Sequence, residues 1–100
     1  GIQGLKLCSK NGVEVWFKPL LNGEWAFCLF NRTTSPIEYT IDWKALEVND
    51  DLSKRSTNFA SQVYMIRNLW TKKAEGNTKK AKSVTVPAHD VVLYRLSPKN

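Results

Sequence analysis

Apolar residues fall at every second position along much of this chain. Leu5 and Leu7 alternate with Lys6, and Val13, Val15 and Phe17 alternate with Glu14, Trp16 and Lys18. Ile37, Tyr39, Ile41 and Trp43 are separated by Glu38, Thr40 and Asp42, and Val84 and Val86 flank Thr85. A period of two belongs to a strand with one buried face. Two segments are apolar on both faces: Trp25 through Phe30, and Val91 through Tyr94 with Leu96 beyond. A strand of that kind needs cover on both sides. The partner sheet supplies one cover; a long loop or a surface outside this chain must supply the other.

Turn residues punctuate these runs. Asn11-Gly12 and Asn22-Gly23 mark hairpins, since asparagine and glycine tolerate the positive φ of tight turns. Thr34-Ser35-Pro36 breaks the next pair, Glu75-Gly76-Asn77 breaks a lysine-rich hairpin, and Pro87 ends a strand or occupies a bulge. The stretch from Lys44 to Gln62 shows no clear alternation, and a helical turn over Ser53 to Ala60 is expected there, with Leu52, Phe59 and Ala60 as its apolar contacts. The tail, Ser97 to Asn100, reads as frayed. Short strands joined by short turns, without an amphipathic helix, define an all-β sandwich or barrel.

Length adds that one domain accounts for all 100 residues. At 42% hydrophobic residues the chain can build a core and is no disordered tail. No apolar run reaches the roughly 18 residues of a membrane helix. Gly1 to Gly4 lacks the basic-then-apolar order of a signal peptide. The formal net charge is +6, with Arg67, Lys72, Lys73, Lys79, Lys80 and Lys82 set against Glu75 alone. Nucleic-acid binding would ask for aromatics interleaved with these lysines, and only Trp70 adjoins the run. A solvated hairpin that protects a sheet edge is the preferred reading.

Candidate chemistry is sparse. Cys8, Cys28 and His89 are too few for a tetrahedral metal site unless other ligands join. The two thiols are expected to be free and buried, although a disulfide would be possible between neighbouring strands. A glycosidase needs two carboxyl groups across a sugar bond, and no spacing among the nine acids marks such a pair. Asp50-Asp51 reads as solvated loop. His89 has no exposed serine on a nucleophile turn to serve. No phosphate-binding glycine loop occurs, so no cofactor is called for. Asn31-Arg32-Thr33 matches a glycosylation acceptor, a motif common by chance. The tryptophans remain. Trp16, Trp25, Phe27 and Trp70 are the candidate interface or binding residues, as interdomain contacts, sugar-stacking platforms or plain core.

The order of motifs is more specific than any one of them. Val15-Trp16-Phe17-Lys18-Pro19-Leu20 precedes Asn22-Gly23-Glu24-Trp25-Ala26 and Cys28-Leu29-Phe30-Asn31-Arg32; Ile66-Arg67-Asn68-Leu69-Trp70 and Val86 through Leu96 follow. This series resembles the C-terminal domain of the α-galactosidase and α-N-acetylgalactosaminidase family of glycoside hydrolases, from about Gln3 to Pro98. Gln3-Gly4 looks like that family's junction between domains. Asn68 departs from the family's frequent aspartate, and Lys44 to Gln62 is longer than the usual connection. The resemblance implies an antiparallel Greek-key β-sandwich of about eight strands, occupying 3–98, beside an N-terminal (β/α)₈ barrel. The family's catalytic aspartates lie in that barrel and match no position here, so the chain by itself is not expected to be an enzyme. Its expected partner is the parent's barrel; carbohydrate is the alternative partner, and neither nucleic acid nor membrane is expected. A polysaccharide substrate favours a secreted or periplasmic parent.

Overall fold

Alternation becomes strand at nearly every position where it occurs. In a computed structural model, which describes residues 4–99, ten strands form: β1 (Leu5–Lys10), β2 (Val13–Pro19), β3 (Trp25–Asn31), β4 (Ile37–Ile41), β5 (Glu47–Asp50), β6 (Arg55–Asn58), β7 (Tyr64–Asn68), β8 (Ala74–Asn77), β9 (Lys82–Val86) and β10 (Val91–Pro98). All pairings are antiparallel. One layer is a six-stranded sheet in the order β1-β2-β3-β10-β7-β8; the other consists of the pairs β4-β9 and β5-β6. The proposed domain start at Gln3 lies outside the described residues.

The β3–β4 and β9–β10 connections run side by side between the layers. The Asn31 amide donates to the Asp90 carbonyl at 2.9 Å, and the His89 amide to the Thr33 carbonyl at 3.1 Å. This adjacency makes the Greek-key crossing: β10, last in sequence, falls between β3 and β7. At the β1–β2 hairpin, Asn11 and Gly12 both take positive φ, 54° and 85°, as a two-residue turn of this hand requires. A Cβ on Gly12 would also lie 2.4 Å from the Thr33 methyl, so the position admits no side chain.

The core lies between the layers. Val13, Val15 and Phe17 of β2, Trp25, Phe27 and Leu29 of β3, and Tyr94 and Leu96 of β10 face Ile41, Trp43, Val48, Phe59 and Val86 from the other layer. An aromatic chain runs through it: Phe27 meets Trp43 at 4.9 Å between centroids, Phe17 meets Phe59 at 5.6 Å, and Phe59 meets Tyr64 at 5.1 Å. Such pairs contribute about 0.5–1.5 kcal/mol each beyond the area they bury.

Several expectations change. The strands number ten, because Lys44 to Gln62 holds the hairpin β5–β6 and no helical turn over Ser53 to Ala60. These strands are four residues long and mostly polar, so alternation could not show them; Val48 and Asp50 are the buried positions of β5. Leu52, expected to be an apolar contact, protrudes at the hairpin tip with 83% of its surface exposed. Glu75-Gly76-Asn77 is part of edge strand β8, where a glycine is tolerated. The tail to Pro98 is strand, and the Ser97 hydroxyl donates to Glu24 at 2.8 Å.

Candidate interdomain face

The four tryptophan-centred candidates separate by strand register. Trp25 and Phe27 are core residues, 1% and 0% exposed, so neither can touch a partner outside the domain. Because β3 is apolar on both faces, periodicity alone could not tell its inner face from its outer one. The outer face carries Ala26, Cys28 and Phe30, half-buried, and Trp16 of β2 lies beside Cys28 across the ladder. Trp70 stands 64% exposed in the loop after β7.

On the outer face Trp16 is held by an acid. Its indole Nε1 donates to Glu14 Oε1 at 3.0 Å, and Arg32 Nη1 donates to Glu14 Oε2 at 3.0 Å. Lys6 reaches the same carboxylate at 4.0 Å. The indole bond, with the two cations, holds the Glu14 carboxyl below the usual range against the opposing effect of burial. Glu14, Trp16, Cys28, Phe30 and Val91 line a shallow apolar depression. Cys28 is half-buried, and burial pushes its thiol up, away from the reactive thiolate. Cys8 is exposed rather than buried. Both thiols are free, and β2 separates their strands.

A second surface lies at one end of the sandwich. After β2 the chain turns through Leu20 to Glu24, closed by Leu20 N–H donating to the Glu24 carbonyl at 2.8 Å. Arg55 of β6 ties the opposite layer to this turn. Its Nη1 donates to the Leu20 carbonyl, its Nη2 donates to the Glu24 carbonyl at 2.9 Å, and its guanidinium lies 4.8 Å from the centroid of the Trp25 ring. The β5–β6 hairpin is thereby pinned to the β2–β3 turn. Leu21 and Leu52, 84% and 83% exposed, project from the same end. A groove of about 460 Å3 opens here, lined by Lys18, Pro19, Leu20, Leu21, Ser53 and Arg55. Nothing in the sequence marked this end except two leucines in a turn, where polar residues are the rule.

The chain enters at this end. Leu5 pairs with Phe17, which sets Gly4 level with Lys18, and a Cβ on Gly4 would lie 3.5 Å from the Trp16 ring. Gly4 thus lies against the Trp16 ring and the Phe17 backbone.

The remaining candidates have local structural work. The Asp50 carboxylate accepts from the Leu52 amide and the Ser53 hydroxyl at 3.1 and 2.9 Å. His89 occupies a turn at φ 53°. Asn31 is fully buried. Its Nδ2 donates to the Ser35 and Val86 carbonyls at 2.8 and 2.9 Å, so the nitrogen that would carry a glycan is bonded within the core. In the basic segment, Lys82 pairs with Glu75 at 3.0 Å, and Asn68 Nδ2 donates to the same carboxylate at 2.9 Å. These bonds outweigh the effect of burial and leave the Glu75 carboxyl lowered.

The architecture is that of a β-sandwich with exposed leucines in its β2–β3 turn and β5–β6 hairpin. Residues 10–96 match the family described as the alpha galactosidase C-terminal beta sandwich domain. The chain belongs to this family. It is 37% identical to α-galactosidase A of Cellvibrio japonicus, with 99% of this chain and 24% of that protein covered. It is 34% identical to an α-galactosidase of Coffea arabica, with 98% and 23% covered. The chain therefore spans about a quarter of the length of these relatives. Solved structures share the fold. They include α-galactosidase I of Mortierella vinacea, with TM-score 0.70, 24% identity, and 93% of this chain and 22% of that one covered. A GH27 β-L-arabinopyranosidase of Geobacillus stearothermophilus gives TM-score 0.72, 20% identity, and 98% and 20% coverage.

Proposed function

We propose that this chain is the stabilising C-terminal domain of a retaining glycoside hydrolase acting on terminal α-galactosides, and that it docks a larger preceding catalytic barrel on its apolar end. One observation carries the reading. Leu21 and Leu52 stand more than four-fifths exposed at the end where Gly4 brings the chain into the sandwich. Exposed apolar side chains at and beside a largely apolar groove suit an interaction surface. A neighbour joined through Gly4 would reach them without a long linker, and Trp16 lies within the same reach. Interdomain contacts within a chain bury about 600–1,500 Å2, enough for this end together with part of the outer sheet face. Export of the parent to the secreted or periplasmic space fits a polymeric galactoside substrate; cell fractionation of the parent would check it.

The test replaces the matching segment of the Cellvibrio japonicus relative with this chain. The chimera is expected to fold and hydrolyse an α-galactoside. Leu21→Asp combined with Leu52→Asp should lower its melting temperature while leaving that of the 100-residue chain nearly unchanged, since exposed positions tolerate substitution. Equal stability of the two chimeras would remove the docking end from the proposal.

A further inference from the structure

The sandwich carries a second groove at the opposite end. Five residues separate Trp25, level with the docking end, from Phe30, opposite Val91; this is about 17 Å along the strands. There a groove of about 410 Å3 opens between the loop after β7 and the turn before β10, lined by Asn68, Trp70, Thr71, Pro87, Asp90 and the start of β10. Its size falls within the range of about 300–1,000 Å3 typical of small-ligand sites.

Both walls are fixed by hydrogen bonds. On one side the Asn68 side-chain oxygen accepts from the Trp70 and Thr71 amides at 2.8 and 3.1 Å. Lys72 N–H donates to the Asn68 carbonyl at 2.9 Å, Asn68 N–H donates to the Lys73 carbonyl at 2.9 Å, and Leu69 N–H donates to the Leu93 carbonyl at 3.0 Å. Trp70 is therefore displayed on a closed turn, 64% exposed. On the other side Asp90 N–H donates to the Pro87 carbonyl at 3.2 Å, and Asp90 Oδ1 accepts from the Val91 amide at 2.7 Å. The second carboxylate oxygen is available to a ligand. Holding a large aromatic in water on a rigid turn sacrifices burial but reduces the ordering cost of binding.

We infer that this groove binds a galacto-configured pyranoside, with Trp70 as the stacking platform and Asp90 as the hydroxyl acceptor. The recognition follows from the chemistry of the two walls. A galacto-configured ring presents a continuous C–H patch over C3, C4 and C5 on one side, because its axial 4-hydroxyl projects to the other. That surface suits the face of an indole, while the ring's hydroxyl edge donates to a carboxylate. The choice of sugar rests on the proposed function; the site itself does not. A sugar site far from the docking end would hold a substrate chain near the enzyme without contributing to bond cleavage.

The experiment titrates the 100-residue chain with methyl α-galactoside, methyl α-glucoside and galactomannan, following tryptophan indole N–H resonances by NMR. The Trp70 indole is expected to shift with galactoside at a Kd of about 1 mM, and galactomannan should bind more tightly. Trp70→Ala should weaken binding at least tenfold, Trp70→Tyr less, and Asp90→Asn several-fold, with the other indole resonances confirming that each variant is folded. No shift of the Trp70 indole at tens of millimolar galactoside would overturn the inference. So would binding retained in Trp70→Ala, or equal response to the glucoside. None of these results would bear on the docking end, which the chimera tests separately.

Discussion

Replacing Arg55 with alanine removes the link between the two layers at the docking end. The guanidinium makes two charge-assisted bonds, to the Leu20 and Glu24 carbonyls, and covers the Trp25 ring at 4.8 Å. Hydrogen bonds to charged groups contribute about 1.5–3 kcal/mol each, and a cation over an indole about 0.5–2 kcal/mol. Arg55 is half-buried and the freed carbonyls would regain water, so the lower ends apply and the net cost is about 2–4 kcal/mol. For a domain of this size each kcal/mol corresponds to about 4–8 °C, so the melting temperature should fall by about 8–32 °C. Urea unfolding followed by tryptophan fluorescence reads the first quantity and a thermal scan the second, and the native emission should shift to the red as Trp25 meets water. Arg55→Lys should recover about half of the loss, because an ammonium can satisfy one carbonyl but cannot fork to two. An alanine variant within about 0.5 kcal/mol of the parent, or a lysine variant equal to it, would refute the reasoning.

Three further outcomes are expected. The Glu24 carboxyl is held below its ordinary value by the Ser97 hydroxyl and by Arg95, whose Nε donates at 2.7 Å. A lowered folded value means stability present above the unfolded value near 4.5 and lost as pH falls through the folded one. The urea midpoint should therefore drop on acidification from pH 5 towards 3, and Glu24→Gln should flatten that dependence. Trp43 is fully buried, and its indole nitrogen has no hydrogen-bond partner among the described residues. Trp43→Phe removes that donor and should cost under half as much as Trp43→Ala, which should cost about 3–5 kcal/mol by denaturant titration. Asn31→Ala leaves the Ser35 and Val86 carbonyls without their donor and should cost about 2–4 kcal/mol; Asn31→Asp, which sets a carboxylate against them, should cost more.

The layers were legible wherever one face of a strand is polar. Val13, Val15 and Phe17 announced the inner face of β2, and Trp16 its outer face. On β3 and β10 both faces are apolar, so periodicity leaves Trp25 and Phe27 open between interface and core, and the register places them inward. The hairpin β5–β6 escaped notice because its strands are short and polar, with Val48 their one buried apolar residue. Arg55 gave no local sign at all: its partners lie 35 and 31 residues earlier in the chain. Trp70 was visible as a residue, but the groove opposite Asp90 appears only when the loop after β7 and the turn before β10 meet.

The fate of Asn31 has a practical consequence for making the protein. A eukaryotic secretory host attaches sugars to Asn-X-Thr while the polypeptide is still extended, before any core exists to shield it. A glycan joined to Nδ2 at that moment would remove one of the two N–H donors that join the β3 end to Ser35 and Val86, and would force a bulky hydrophilic chain into a fully buried position. Addition there competes with folding, so modified molecules should accumulate in the aggregated fraction, and a bacterial host should yield more soluble material.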